Sequence, residues 1–363
     1  MNELNEARIE INQVDKEMAE LFKRRMNAVK KVAHYKQERG LPVLDEVREA
    51  EVIQRNAELF EDDELRDYYV SFIKSNMKIS RRFQKRLIAG IKVAYSGVPG
   101  AFANIAAEKI FPNCNAVNYP DFSSAYNAVV KGDCECVVLP IENSYNGDVG
   151  QVTDLTFFGD LYINGVYEID IVQNLLAKPG TRLSEIKEVI SHPQALGQCA
   201  EYIKKHGFKA TECVNTAVAA KLVSDSERMD LAAIASQEAA EKYDLEKIDS
   251  NINESNKNTT RFAVFSRTAN RGSENDSRFI MLFTVKNEVG SLSKAVSIIG
   301  DNGFNMQAIK SRPTKELVWD YYFYVECEGE INSPTGEKMI SELNSICSNL
   351  KIAGSFPKEI LLK

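Results

Sequence analysis

Between Asn5 and Glu38 the chain has neither glycine nor proline, and Ile11, Val14, Met18, Leu21, Phe22, Met26, Val29, Val32 and Ala33 recur at three- and four-residue intervals. That period is one face of an α-helix, here roughly 50 Å long. Gly40 and Pro42 end it. Asp45 is placed to cap a second helix through Arg48, Val52, Ile53 and Leu59, and a third is predicted over about Asp63–Leu87. Three long helices with such thin apolar stripes do not close a core alone, so helices of two chains are expected to pack together.

After Arg86 the pattern shortens to that of buried strands. Lys92–Tyr95 predicts a strand, followed by the glycine loop Gly97, Val98, Pro99, Gly100 and a helix to Phe111. Asp121 is placed to cap a helix ending near Lys131 and Gly132. Cys136–Leu139 reads as a buried strand running out at Pro140, which delivers Ile141–Gly147 to the strand's carboxyl end, where open α/β sheets bind ligands. A second set follows, with strand Val189–Ile190, a helix opened by Ser191–Cys199, a helix over Thr216–Val223 and strand Leu231–Ile234. Two such sets predict two lobes with a cleft between them.

Thr268–Ser277 is a polar, turn-rich spacer. Beyond it come strand Phe279–Val285, helix Ser291–Asp301, strands Asn305–Ser311 and Trp319–Cys327, a helix near Gly336–Leu350 and strand Lys351–Phe356. This βαββαβ order is that of a ferredoxin-like sandwich. The expected fold class is therefore multidomain α plus α/β, with an all-helical module at 1–90, a two-lobed α/β module at 91–270 and a ferredoxin-like module at 277–358.

Composition narrows the function. With 44% hydrophobic and 27% charged residues and no apolar run long enough to span a bilayer, the chain is expected in the cytoplasm with no membrane partner. Met1–Glu10 is acidic and polar, unlike a signal segment. Residues 1–90 hold 18 Lys and Arg against 17 Asp and Glu, and the remainder 27 against 35, which argues against a nucleic-acid partner. Seven cysteines at irregular spacings form no disulfide framework, and three scattered histidines make no metal site. The glycine loop lacks the lysine of a nucleotide cradle, and no cofactor is expected.

Candidate chemistry lies in two places. Arg25 and Lys36, eleven residues apart, fall within roughly 20° on one helix face, whereas Arg8 lies about 100° from Arg25 and is better placed to serve a partner chain's pocket. Arg48 and Glu49 begin the second helix, and Ser80 and Gln84 form an i, i+4 pair on the third. The second place is Asn258–Phe262, where Arg261 offers a cationic fork and Thr260 a hydroxyl that donates and accepts. Taken alone, those five residues fit a turn leading into a strand at least as well. Ser191 and His192, neighbours on extended chain, point to opposite sides and make no catalytic dyad.

Residues 5–88 resemble the all-helical chorismate mutase family through "ARIEINQVD", "KRRMNAVKKVAHYK", "LPVLDEVRE" and "ISRRFQ". The resemblance implies that Arg25, Arg48 and the partner chain's Arg8 hold the carboxylates of chorismate, that Lys36 and Gln84 donate to its ether oxygen, that Asp45 and Glu49 bind its hydroxyl, and that Ser80 completes the site. Residues 91–270 resemble the prephenate dehydratase family through "VAYSGVPGAFA", "VVLPIENSYNGDV", "SHPQALGQC", "NTAVAA" and "NTTRF", although Ala101 and Ala103 stand where members often carry Thr or Ser. This implies an essential Thr260, a cleft lined by Glu142, Asn143, Ser191 and Gln198, and a substrate carboxylate held by Arg261. Glu142 is the alternative proton donor if burial raises its pKa.

The last module resembles the ACT regulatory domain through "NEVGSLSKA", with Gly290, Ser291 and Leu292, and through "KSRP", with Ser311 and Arg312. It implies L-phenylalanine as effector. Lys310 departs from the family's usual Glu. Together these resemblances imply a homodimer or higher homo-oligomer that converts chorismate to prephenate and prephenate to phenylpyruvate under feedback control. The alternatives are an arogenate-preferring dehydratase and a two-lobed ligand-binding regulator without catalysis.

Overall fold

The computed structural model describes residues 2–61, 63–255, 258–270, 276–314, 320–358 and 360–362. The chain divides into two compact units after Ile91. No helix of the described residues is long and apolar enough to cross a membrane.

In the first unit, α1 (Glu3–Glu38) is capped by Asn2 and carries Glu3 and Glu6 in its first turn and Lys36 in its last, the arrangement the helix dipole favours. Asp45 caps α2 (Glu46–Ala57) by accepting from Arg48 N at 3.0 Å, and α3 is Asp63–Ala89. Ala33 and Met77 are the buried apolar side chains among the described residues of this unit, whereas Ile11 is 58% and Leu21 57% exposed. A single copy thus leaves the apolar stripe of α1 in water.

The second unit opens with one lobe, made of β1 (Lys92–Ser96), α4 (Phe102–Ile110), β2 (Asn115–Tyr119), α5 (Phe122–Lys131), β3 (Cys136–Asn143), β4 (Gly147–Asp148), α6 (Gly150–Phe158) and β5 (Tyr162–Asp170). The other lobe holds β6 (Asn174–Ala177), β7 (Glu188–Ser191), α7 (Pro193–Gln198), α8 (Ala200–His206), β8 (Lys209–Glu212), α9 (Thr216–Asp225), β9 (Leu231–Ala235), α10 (Gln237–Lys242) and β10 (Glu246–Asp249). The chain then returns to the first lobe as β11 (Thr259–Ser266), which lies antiparallel between β5 and β3. The two crossings between lobes are bonded to each other, Gln173 N donating to Asn253 Oδ1 at 3.1 Å and Ile252 N to Gln173 O at 2.9 Å. The lobe sheets run β5-β11-β3-β1-β2, with a further C-terminal strand, β16 (Ile360–Leu362), on the outer edge of β5, and β10-β6-β9-β7-β8.

The C-terminal sandwich comprises β12 (Asp276–Val285), α11 (Ser291–Asp301), β13 (Asn305–Pro313), β14 (Tyr321–Glu328), α12 (Pro334–Asn344) and β15 (Cys347–Pro357), with sheet order β13-β14-β12-β15. This is the expected βαββαβ fold. Strand alternation gives its sheet two apolar faces. Phe279, Met281 and Phe283 of β12 pack in the core that α11 and α12 cover, while Ile280 and Leu282 join Val137, Leu139 and Ile163 in the core of the first lobe. Burying each of those two side chains contributes roughly 1.5–3 kcal/mol. Phe157 stacks on Tyr322 with ring centroids 4.2 Å apart, and a side chain at Gly354 would strike the carbonyl of Ile163.

Some boundaries differ from expectation. Pro140 does not end β3, which continues to Asn143. Pro140 sits opposite Phe262, beside the register shift between Arg261 and Phe262 where the ladder is already interrupted. The last helix stops at Asn344 rather than Leu350, because Cys347, Asn349 and Leu350 pair with Val285, Thr284 and Phe283 of β12. β16 (Ile360–Leu362), absent from the expected elements, pairs parallel with β5. Trp319 and positions 271–275 of the expected spacer lie outside the described residues, and Ser277 belongs to β12.

Candidate active sites

Thr260 and Asn143 face each other across the ladder of β11 and β3, and Asn143 Nδ2 donates to Thr260 Oγ1 at 2.9 Å. The same nitrogen donates to Asn258 Oδ1 at 2.9 Å. Asn143 Oδ1 accepts from the N–H groups of Tyr145 (3.0 Å) and Asn146 (2.9 Å). With its oxygen so occupied the amide has one orientation. The Thr260 hydroxyl, already an acceptor, keeps its own hydrogen to give.

Thr260 is 9% exposed and, with Asn143 and Gln198, lines a cleft of about 1010 Å³ between the two lobes. Asn118, Gln173, His192, Asn215 and Thr216 line it too, and sequence reasoning had not assigned them. The signal for two of them was the block "NTAVAA", whose Asn215 caps α9 by accepting from Ala217 N at 2.8 Å. Gln173, 2% exposed at the lobe crossing, donates to Gln198 Oε1 at 3.4 Å and leaves its own oxygen without a partner among the described residues. Gly97, at φ +109°, turns the chain along the cleft after β1.

The described residues lining the cleft include no Lys or Arg, and their ionisable members are Asp148 and His192. Positive character comes instead from helix starts, since Phe102 and Ala103 of α4, Gln151 of α6 and Thr216 of α9 all line the cleft. Ala101 and Val149, the N-caps of α4 and α6, make no side-chain cap, so first-turn N–H groups there are left to other acceptors. His192 caps α7, its Nδ1 accepting from Gln194 N at 3.3 Å. Burial lowers its pKa against the opposing pull of Glu212 and favours the neutral imidazole.

Three expected cleft residues lie elsewhere. Arg261 follows Thr260 on a strand and therefore faces the other side, where Nη2 meets Glu326 Oε1 at 2.7 Å and Nη1 meets Glu142 Oε2 at 3.1 Å. Glu142, opposite Arg261, is off the cleft for the same reason, and its Oε1 accepts from Lys310 Nζ at 3.1 Å. Burial pushes the Glu142 pKa up, but Lys310 and Arg261 outweigh it and the net shift is downward, so the condition for Glu142 as proton donor is not met. Ser191 is fully buried at the end of β7, its hydroxyl donating to Ile234 O at 2.6 Å.

In the helical unit, burial lowers the pKa of Arg25, whose guanidinium donates to Ser80 Oγ and to Asn76 O (3.4 Å), joining α1 to α3. Gln84, one turn beyond Ser80, is 8% exposed, and its Oε1 has no partner among the described residues. Lys36 Nζ donates to Val43 O at 2.7 Å, Arg48 pairs with Glu51 at 3.0 Å, and Asp45 is engaged as a cap. Glu49 pairs with Arg81, a residue the sequence reading had passed over. Arg8 is exposed, and its seventeen-residue separation from Arg25 amounts to about 26 Å along α1.

In the sandwich, Gly290 caps α11 at φ +81°, and Ser291 and Leu292 open that helix. Ser311 and Arg312 lie on β13. Arg312, expected to contact effector, is instead clamped on Asp154 of α6, with Nε–Oδ1 at 2.7 Å and Nη2–Oδ2 at 3.1 Å, and Tyr322 donates to the same carboxylate at 2.7 Å. The pair holds Arg312 firmly protonated.

Family models match the chain in three consecutive stretches, chorismate mutase type II over residues 7–85, prephenate dehydratase over 93–270 and the ACT domain over 279–343. The bifunctional chorismate mutase/prephenate dehydratase of Aquifex aeolicus (strain VF5) is 31% identical over 374 residues, covering 99% of each chain. Arogenate dehydratase/prephenate dehydratase 2, chloroplastic, of Arabidopsis thaliana is 32% identical over 277 residues, covering 74% of this chain and 73% of its own. Among solved structures, the prephenate dehydratase of Staphylococcus aureus subsp. aureus Mu50 superposes with a TM-score of 0.65 at 26% identity, covering 73% of this chain and 100% of that one.

Proposed function

We propose that this chain, which belongs to the bifunctional chorismate mutase/prephenate dehydratase family, catalyses two consecutive steps of phenylalanine biosynthesis. It converts chorismate to prephenate in the helical unit and prephenate to phenylpyruvate, carbon dioxide and water in the two-lobed cleft, with feedback by L-phenylalanine through the ACT domain. The observation that carries the dehydratase reading is the Thr260 hydroxyl, held by Asn143 with its hydrogen still to donate into the cleft.

In the dehydratase step the ring carboxylate departs as carbon dioxide, its bonding pair enters the ring, and the hydroxyl at the opposite carbon departs with its bonding pair and takes up one proton from the medium to become water. Aromatisation supplies the driving force. Thr260 donates a hydrogen bond that strengthens as charge builds on the leaving oxygen, and Asn143 fixes its direction. The helix starts of α4, α6 and α9 favour the substrate's carboxylates, and Gln173 and Gln198 orient the rest. The mutase step needs no nucleophile, because the rearrangement is unimolecular. Arg25 and Arg48 hold the compact conformer, and Lys36 and Gln84 donate to the ether oxygen that gains charge.

The exposed apolar stripe of α1 and the distance of Arg8 from Arg25 support a homodimer in which Arg8 serves the partner's pocket. Gly290, Ser291, Leu292 and Ser311 are the effector contacts of this reading. Incubating the purified chain with chorismate and following phenylpyruvate tests it, and a chain that leaves chorismate unchanged would fit a non-catalytic ligand-binding protein instead.

A further inference from the structure

We propose that Lys310 of the C-terminal sandwich is a specificity-determining residue of the dehydratase cleft, selecting the keto acid prephenate over the amino acid arogenate. The inference rests on the dehydratase reading above. The two substrates differ in one group, a side-chain carbonyl in prephenate and an ammonium in arogenate. An ammonium brought into a cleft out of bulk water requires an acceptor with charge to spare.

Among the described residues lining the cleft the one carboxylate is Asp148, on the short strand β4. Both its oxygens are engaged. Oδ1 accepts from Lys310 Nζ at 2.9 Å, and Oδ2 from the Thr153 hydroxyl at 3.2 Å. Lys310 reaches this point from β13, its ammonium 5.3 Å from the centre of the Tyr324 ring, and also holds Glu142 at 3.1 Å. Glu142 is shared with Arg261 at 3.1 Å, and Arg261 in turn with buried Glu326. The two carboxylates of this cluster, Asp148 and Glu142, therefore already have their cations. A dianionic keto acid meets no unpaired carboxylate among the described residues that line the cleft, and an incoming ammonium finds its partner there, Asp148, occupied by Lys310.

Removing the Lys310 ammonium releases Asp148, while Glu142 keeps Arg261. The test measures kcat/KM of the full chain for prephenate and for arogenate in the wild type, Lys310→Met, Asp148→Asn and the double variant. The wild type should favour prephenate. In Lys310→Met the arogenate-to-prephenate ratio should rise roughly three- to tenfold, the scale of one partly solvated ion pair. That rise should vanish when Asp148→Asn is added, a coupling that general loosening of the sandwich would not produce. If Lys310→Met does not fold, Lys310→Gln carries the same expectation. A wild type that prefers arogenate, an unchanged ratio, or a rise that persists without Asp148 overturns the proposal. Inactivity of the wild type on both substrates would overturn the dehydratase reading itself, which separates the two failures.

Discussion

Arg261 and Glu326 form a two-pronged ion pair, Nη2–Oε1 at 2.7 Å and Nη1–Oε2 at 3.1 Å, that ties the strand carrying Thr260 directly to β14 of the C-terminal sandwich. Glu326 is 1% exposed, and Arg278 approaches it at 3.8 Å, so its charge is neutralised by cations from β11 and β12. Removing one member leaves a buried charge short of a partner. Arg261→Met should lower the unfolding free energy by about 2–4 kcal/mol. The double variant Arg261→Met/Glu326→Met should be less destabilised than the sum of its parts, read from urea denaturation. Strict additivity would mean that the pair contributes nothing of its own.

The downward shift at Glu142 makes a prediction about acid. Burial opposes ionisation, yet Lys310 and Arg261 hold the carboxyl below its ordinary value of about 4.3. A group whose folded pKa is depressed stabilises the fold above its unfolded pKa and loses that contribution as pH falls through the folded pKa. The denaturation midpoint should therefore fall on acidification below about pH 4.3, and Glu142→Gln should make that limb shallower. The same variant should keep dehydratase turnover within about tenfold, whereas loss of a true general acid costs on the order of a hundredfold or more. A hundredfold loss would restore Glu142 to the chemistry.

In the helical unit, Lys36→Ala and Gln84→Ala should each cut mutase turnover by about a hundredfold or more while leaving dehydratase turnover unchanged. Parallel loss of both activities would count against separate sites.

The proposed pocket shared between two chains predicts that mutase activity depends on association through the exposed stripe of α1. The full chain should sediment as a dimer or larger assembly, and Ile11→Asp with Leu21→Asp should weaken association and mutase activity together. A monomeric wild type with full mutase activity would refute the shared pocket.

Periodicity was enough for α1, for the βαββαβ sandwich and for a cleft between lobes, because each follows from which positions are apolar. The site was legible only in part. Thr260, Asn143 and Gln198 line the cleft as expected. Arg261 was misdirected even though strand alternation, already applied to Ser191 and His192, sends consecutive residues to opposite faces. The motif "KSRP" drew attention to Lys310 and Arg312, but their pairings were beyond reach of any local pattern, since their partners Glu142, Asp148 and Asp154 lie more than 150 positions away and meet them only once the sandwich docks. The early stop of α12 escaped because Ile346–Leu350 is apolar enough for either structure, and pairing with β12 decided it.

The most direct test of the central claim feeds chorismate to the wild type and to Thr260→Ala and resolves prephenate from phenylpyruvate by chromatography. The account predicts phenylpyruvate from the wild type, and from Thr260→Ala an accumulation of prephenate formed at the wild-type rate with dehydratase turnover down by about a hundredfold or more. Phenylpyruvate formation by Thr260→Ala at the wild-type rate, or chorismate left unchanged by the wild type, would contradict it.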